Sequence, residues 1–170
     1  AIMNSSDPAD TMALRAAFSA FLTGVTIVTT RNGDAAPRGF TANSFTSVSL
    51  DPPLLLFCIG KTSRSLDDFL GANTFAVNIL SDKQQHLSAR FATPVEDRFA
   101  EVDWDLGPAG SPVLHDVCGW FDCETRNIVE AGDHHIVIGE VIGFDHNPQE
   151  ALGYSRGGYF SLAGDTKPSS

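Results

Sequence analysis

The sequence has 170 residues, 42% of them hydrophobic and 19% charged, which is enough to bury a core without metal or disulfide staples and too apolar for a disordered chain. Its formal net charge of −10 argues against nucleic acid or anionic membrane as a partner, since both select cationic surfaces. No apolar run approaches the roughly 20 residues of a membrane span and the first residues lack a signal-like pattern, so one cytoplasmic domain is expected.

Residues 1–10 carry no periodic pattern and are expected to be flexible, with the domain running over 11–164 and a flexible tail over 165–170. Asp10 or Thr11 caps a predicted helix in which Leu14, Phe18, Phe21 and Leu22 recur at helical spacing, with Gly24 as its stop. That aromatic stripe reads as core packing. Val25 to Thr30 is β-branched and reads as a strand, and Asn32-Gly33 as a hairpin turn. Phe40 to Leu50 is a further strand, which Asp51-Pro52-Pro53 ends in a turn. Leu54 to Ile59 is a short continuous apolar run, expected to be a strand buried on both faces.

Ser65 stands where it would cap a short helix over Leu66 to Ala72, and Thr74 to Leu80 reads as a half-buried strand. Ser81 with Gln84 makes a capping box for a helix reaching about Phe91. Val95 to Leu106 has no assignable pattern, and Gly107 to Pro112 is a loop. Val117 to Val129 and His135 to Phe144 form a predicted hairpin around Glu130 to Asp133, and a last short strand is expected at Tyr159 to Leu162. Cys58, Cys118 and Cys123 form neither a disulfide framework nor a zinc site and read as small buried hydrophobes; with both on one strand, Cys118 and Cys123 would be roughly 16 Å apart. Many strands joined by short helices point to a closed antiparallel barrel, and no GxGxxG follows a strand as a Rossmann fold would require.

The chemistry concentrates between Arg38 and Ser65. Thr41, Asn43 and Ser44 are small polar groups suited to hydrogen-bond a planar polar ring, although the plainer reading of Thr41 to Ser44 is the polar face of a strand. Lys61 to Ser65 sets two cations and three hydroxyls before a helical pattern, a suitable place for a phosphate, although a solvated loop with a helix cap explains it equally. No HExxH, GxSxG or local Cys/His pairing offers a different reaction class.

The segment GFTANSFTSVSLDPPLLLFCIGKTSRS, with VNIL, GDHHIVIGEV and YSRGGYFSL, resembles the flavin reductase-like family over about Phe18 to Leu162. The resemblance implies a mainly β split barrel of Greek-key, FMN-binding-like type, with two chains pairing and each flavin near the dimer interface. It implies an NAD(P)H:flavin oxidoreductase that reduces FAD or FMN with NADH, or with NADPH, and passes diffusible reduced flavin to a partner monooxygenase. It sets Thr41, Ala42, Asn43 and Ser44 along the isoalloxazine ring, with Cys58, Ile59 and Gly60 on the strand leading to the phosphate station of Lys61, Ser63, Arg64 and Ser65. Asn78, Arg90, Phe91, Arg156 and Tyr159 are lesser expected contacts, each with a structural alternative at a sheet edge, in a core or on a surface loop. Gly132-Asp133-His134-His135 matches the family's nicotinamide-associated GDH block, so Asp133 and His134 are expected at the cofactor, with His134 the catalytic candidate; on spacing alone it is a hairpin turn. No metal is expected. The competing readings are a non-catalytic flavin or haem carrier on a similar barrel, and a barrel for a small apolar ligand.

Overall fold

Five successive buried residues, Thr26 to Thr30, make β2 (Thr26–Arg31) the middle of the protein. A strand this polar survives burial because its hydroxyls are satisfied: Thr26, Thr29 and Thr30 donate to the carbonyls of Ala42, Pro112 and Thr74 at 2.7, 2.5 and 2.8 Å. The computed structural model describes residues 4–162, so the expected tail at 165–170 lies outside the described residues.

Seven strands form one antiparallel sheet in the order β3 (Pro37–Ala42), β2, β6 (Thr74–Ile79), β9 (Gly119–Ala131), β10 (His134–His146), β5 (Pro53–Gly60) and β4 (Phe45–Leu50). The barrel does not close through hydrogen bonds: β3 and β4 end the sheet without pairing to each other. The sheet instead curls until end strand β3 meets β5, the neighbour of the other end strand, through aromatic rings. Phe40 of β3 and Phe57 of β5 stand 5.9 Å apart, and Phe69 and Phe75 complete the cluster at 5.5 and 4.9 Å from Phe57. Strand β5 alternates fully buried Leu55, Phe57 and Ile59 with half-buried neighbours, so only one of its faces is in the core, contrary to the expectation from its continuous apolar run.

A second core lies on the outside of the sheet. There α3 (Gln85–Ala92), a small hairpin of β7 (Trp104–Leu106) and β8 (Pro112–Leu114), and a three-stranded sheet of β1 (Thr23–Gly24), β11 (Leu152–Ser155) and β12 (Gly158–Ser161) enclose Val25, Leu80, Phe91, Phe99 and Leu152. The stretch without a sequence pattern, 95–106, thus holds a core aromatic, Phe99, and β7. The capping box forms, with the Ser81 amide donating to Gln84 Oε1 at 3.0 Å, and leads through a 3₁₀ turn into α3. Ser65 precedes α2 (Leu66–Leu70) without a side-chain cap bond.

Helix α1 (Thr11–Ser19) is capped by Asp10, whose carboxylate accepts from the Ala13 amide at 3.1 Å. Its apolar stripe is not core: no residue of α1 is buried, Phe18 within it is 71% exposed, and Phe21 just beyond it is 78% exposed. Gly24 lies in β1 instead of ending the helix. Cys118 precedes β9 and only Cys123 lies on that strand; all three cysteines are free, and only Cys123 is fully buried.

Candidate functional site

Helix α3 crosses the outer face of β3, and the closeness of that crossing shapes the site. A Cβ on Gly39 would lie 3.0 Å from the Val28 carbonyl oxygen and 3.2 Å from Phe91 Cε1, so glycine is what lets helix and strand approach. One step along the same face, Thr41 Oγ1 donates to the Ser88 carbonyl at 2.7 Å, and Ser88 Oγ in turn shares a 2.8 Å hydrogen bond with Tyr159 Oη. These bonds knit β3, α3 and β12 around a cleft of about 260 Å³ lined by Thr41, Asn43, Ser88, Ala92, Tyr154 and Tyr159. Asn43 is exposed at its mouth, and the ring of Tyr154 stands 5.3 Å from that of Tyr159. A planar heteroaromatic group suits this mixture of ring faces, hydroxyls and a carboxamide.

A second cleft, also about 260 Å³, opens beside Gly39, two residues back along the same face of β3 and therefore roughly 7 Å from Thr41. It is lined by Arg38, Arg64, Ser65 and Arg98 among others. Two cross-braces build its far wall. Arg90 donates to the carbonyls of Asp97 and Arg98 at 2.8 and 2.7 Å, and Arg98 donates to those of Thr93 and Gly39. Burial, and then the nearby Arg64 cation, push the Arg98 guanidinium below its usual range.

The other sequence-predicted residues divide between the two clefts and the framework. Ala42 and Ile59 are buried in or beside the aromatic core. Ser44 Oγ accepts from the Cys58 amide at 3.1 Å and bonds its carbonyl, so its hydroxyl fastens β5 to the start of β4; burial raises the Cys58 thiol pKa. Asn78 is fully buried and its amide is consumed internally, donating to the Ile27 carbonyl and Thr29 Oγ1 and accepting from the Leu114 amide. Phe91 belongs to the second core, 5.0 Å from Phe99. Ser63 Oγ accepts from the Ser65 amide, and Lys61 is ion-paired with Glu130, so neither reaches the arginine-lined cleft with Arg64 and Ser65. Arg156 is exposed in a turn with φ of +49°, followed by Gly157 at +77°, the pattern of a tight β11–β12 hairpin.

Gly132 and Asp133 form the two-residue turn between β9 and β10, with Gly132 at φ +60°. His134 faces Gly60 across the ladder, half-exposed, its Nδ1 2.7 Å from Asp133 Oδ1. The imidazole hydrogen bond holds the Asp133 carboxyl below its ordinary value, as Lys61 does for Glu130. His135 lies on the opposite face with buried Ile59 as its ladder partner, and its Nδ1 is buried without a hydrogen bond. Arg38, Ser88, Tyr154 and Arg98 were not assigned from sequence. Gly39 inside a strand was the available signal, since an interior glycine marks a close approach.

The flavin reductase like domain matches residues 18–163. The chain belongs to that family. Among its flavin reductase relatives, a probable flavin reductase of Rhizobium meliloti (strain 1021) is 56% identical over 157 residues, covering 91% of this chain and 50% of that protein. The reductase component of a flavin-dependent trigonelline monooxygenase from Acinetobacter baylyi is 51% identical over 150 residues, covering 88% of this chain and 48% of that protein. The chain thus spans about half the length of both relatives. The structure of an NADH:FAD oxidoreductase from Streptomyces globisporus, in complex with NAD and FAD fragments, superposes with a TM-score of 0.89 at 40% identity, covering 97% of this chain and 100% of that one.

Proposed function

We propose that this chain is an NADH:flavin oxidoreductase that reduces FAD or FMN and releases the reduced flavin to a partner monooxygenase. One observation carries the reading: a cleft suited to a planar polar ring is lined by Thr41 and an arginine-bearing cleft suited to phosphate by Gly39, two residues apart along β3 and thus roughly 7 Å, about the spacing of a ribityl chain. The sequence resemblance assigned the ring to Thr41–Ser44 and the phosphate to Lys61–Ser65, and Thr41, Asn43, Arg64 and Ser65 are the members of those stretches that line the two clefts.

When bound, the flavin accepts as hydride the two electrons that the nicotinamide gives up, so the protein needs no acid–base catalyst for that transfer. Its residues bind and orient. Asn43 would offer a carboxamide to the ring edge, Tyr154 and Tyr159 would wall the ring, and Arg64 would hold the phosphate. His134, half-exposed and oriented by Asp133, is placed to hydrogen-bond a nicotinamide carboxamide or a pyrophosphate oxygen; it positions and does not transfer the hydride.

The homodimer expected from sequence has support in the uncovered α1 face, where Phe18 and Phe21 line a cleft of about 590 Å³ shared with Asn43 and Tyr154. Among the described residues no helix is long and apolar enough to cross a membrane. Three free cysteines suit the cytoplasm. Arg64→Ala tests the assignment: FAD and FMN binding should weaken by roughly 1 to 3 kcal/mol, the range of a charge-assisted hydrogen bond, and riboflavin binding should not change. Equal weakening for riboflavin would remove the phosphate assignment.

A further inference from the structure

Helix propensity and packing alone do not call for a serine at position 88. It lies inside α3, is 2% exposed, and has Leu87 and Phe91 as the other buried residues of the helix, so alanine would suit both helix and core better. Its polar groups are instead divided between two other elements. The carbonyl accepts from Thr41 Oγ1 of β3 at 2.7 Å, and the hydroxyl shares a 2.8 Å hydrogen bond with Tyr159 Oη of β12. Strand β12 ends its three-stranded sheet, paired only to β11 among the described residues, and the turn that leads into it carries two residues with positive φ, Arg156 and Gly157. At the far end of β12, Ser161 donates to Asp82 Oδ2 at 2.7 Å in an exposed contact, whereas Tyr159 meets Ser88 at the ring cleft that both residues line. Tyr159 is also the ladder partner of Tyr154, and their rings meet at 5.3 Å and 60°. A ring fixed at its hydroxyl cannot swing away from the cleft, and a free phenol can.

We infer that Ser88 is a positioning residue: its hydroxyl fixes Tyr159 as a wall of the ring cleft and thereby sets how long the isoalloxazine stays bound. The inference rests on the flavin-reductase reading above and adds how the site lets go of its flavin. A reductase that supplies a partner with flavin must admit and release the ring at every turnover, so a wall of moderate strength serves it better than a tight clamp. One neutral hydrogen bond has that strength, since its net value corresponds to a factor of roughly two to twelve in an equilibrium constant. Ser88 acts through Tyr159, and the two hydroxyls form one unit because each is the partner of the other. FAD, FMN and riboflavin carry the same ring, so all three should sense the wall alike.

The test is the dissociation rate of FAD, FMN and riboflavin, by stopped-flow fluorescence, for the wild type, Ser88→Ala, Tyr159→Phe and the double variant, with single-turnover reduction by NADH and a denaturant titration of each. Both substitutions remove one hydroxyl and leave the rest of the side chain in place. Each single variant should release all three flavins about three- to tenfold faster, and the double variant no faster than either. Reduction at saturating flavin should stay within about twofold of wild type, the pattern of lost binding and not of lost chemistry. Unchanged release rates in both single variants, with or without a lowered denaturant midpoint, would make the bond a staple of the second core and overturn the inference. So would effects that add in the double variant, or a loss confined to FAD and FMN, which would place the interaction at the phosphate. A wild-type protein that bound no flavin would instead refute the underlying reading.

Discussion

His134 and His135 are adjacent in sequence but have opposite surroundings, because successive side chains on a strand point to opposite faces. His134 lies beside Gly60 with Asp133 fixing its ring, while His135 shares a ladder position with core residue Ile59. His134→Ala should therefore raise the KM for NADH or slow the reduction of bound flavin while flavin affinity stays nearly constant. Stopped-flow reduction measures both; wild-type rates and NADH dependence in the variant would mean that the histidine only closes a turn. Asp122 gives a residue-scale prediction of another kind. It is fully buried on β9, accepts from the Ala109 amide at 2.7 Å, and is clamped against the 107–111 loop. Burial raises its pKa above the ordinary 3.8, and its hydrogen bonds to Ser111 and the loop amides offset this in part. A carboxyl with a raised folded pKa binds its proton more tightly in the native state, so its contribution is most favourable below 3.8 and declines as pH rises toward the folded pKa. Asp122→Asn removes that titration. Relative to wild type, the variant should gain stability as pH rises above 3.8 in denaturant titrations, and a difference that stays flat with pH would contradict the assignment.

At the scale of elements, the α3–β3 crossing frames the ring cleft, which Ser88 and Ala92 of α3 and Thr41 of β3 line. Gly39→Ala would place a methyl 3.0 to 3.3 Å from the Val28 carbonyl and the Phe91 ring, forcing α3 outward. The variant should lose roughly 1 to 3 kcal/mol of stability, the range for overpacking, and flavin affinity should fall with it. Unchanged flavin affinity would show that the crossing does not shape the site. This crossing also marks the limit of what the sequence made legible. Strand periodicity, turn residues and the Ser81–Gln84 box located most elements, because those signals are local. The cross-brace of Arg90 and Arg98 joins residues eight apart through carbonyls, and carbonyls have no sequence signature. Arg90 and Asn78 were read as ligand contacts because their polar side chains sit in motifs near the site, and the structure shows those groups spent on the backbone.

Over the whole molecule, the α1 stripe was misread for a related reason: helical spacing of Leu14, Phe18, Phe21 and Leu22 reports that a face is apolar and does not report what covers it. Among the described residues nothing does, and the exposed rings line the cleft that reaches Asn43 and Tyr154. A second copy seated there would complete the flavin-lining surface. Light scattering should give twice the 18.2 kDa of the chain, and Phe21→Glu should shift it toward monomer with loss of reductase activity. A fully active monomer would contradict this. The central claim is that the two clefts at Gly39 and Thr41 of β3 hold a flavin for reduction by NADH. The most direct test is steady-state NADH consumption with FAD, FMN and riboflavin compared at equal concentration. The account predicts flavin-dependent turnover with FAD or FMN and the poorest turnover with riboflavin, whereas flavin binding without NADH consumption would make the chain a carrier and contradict it.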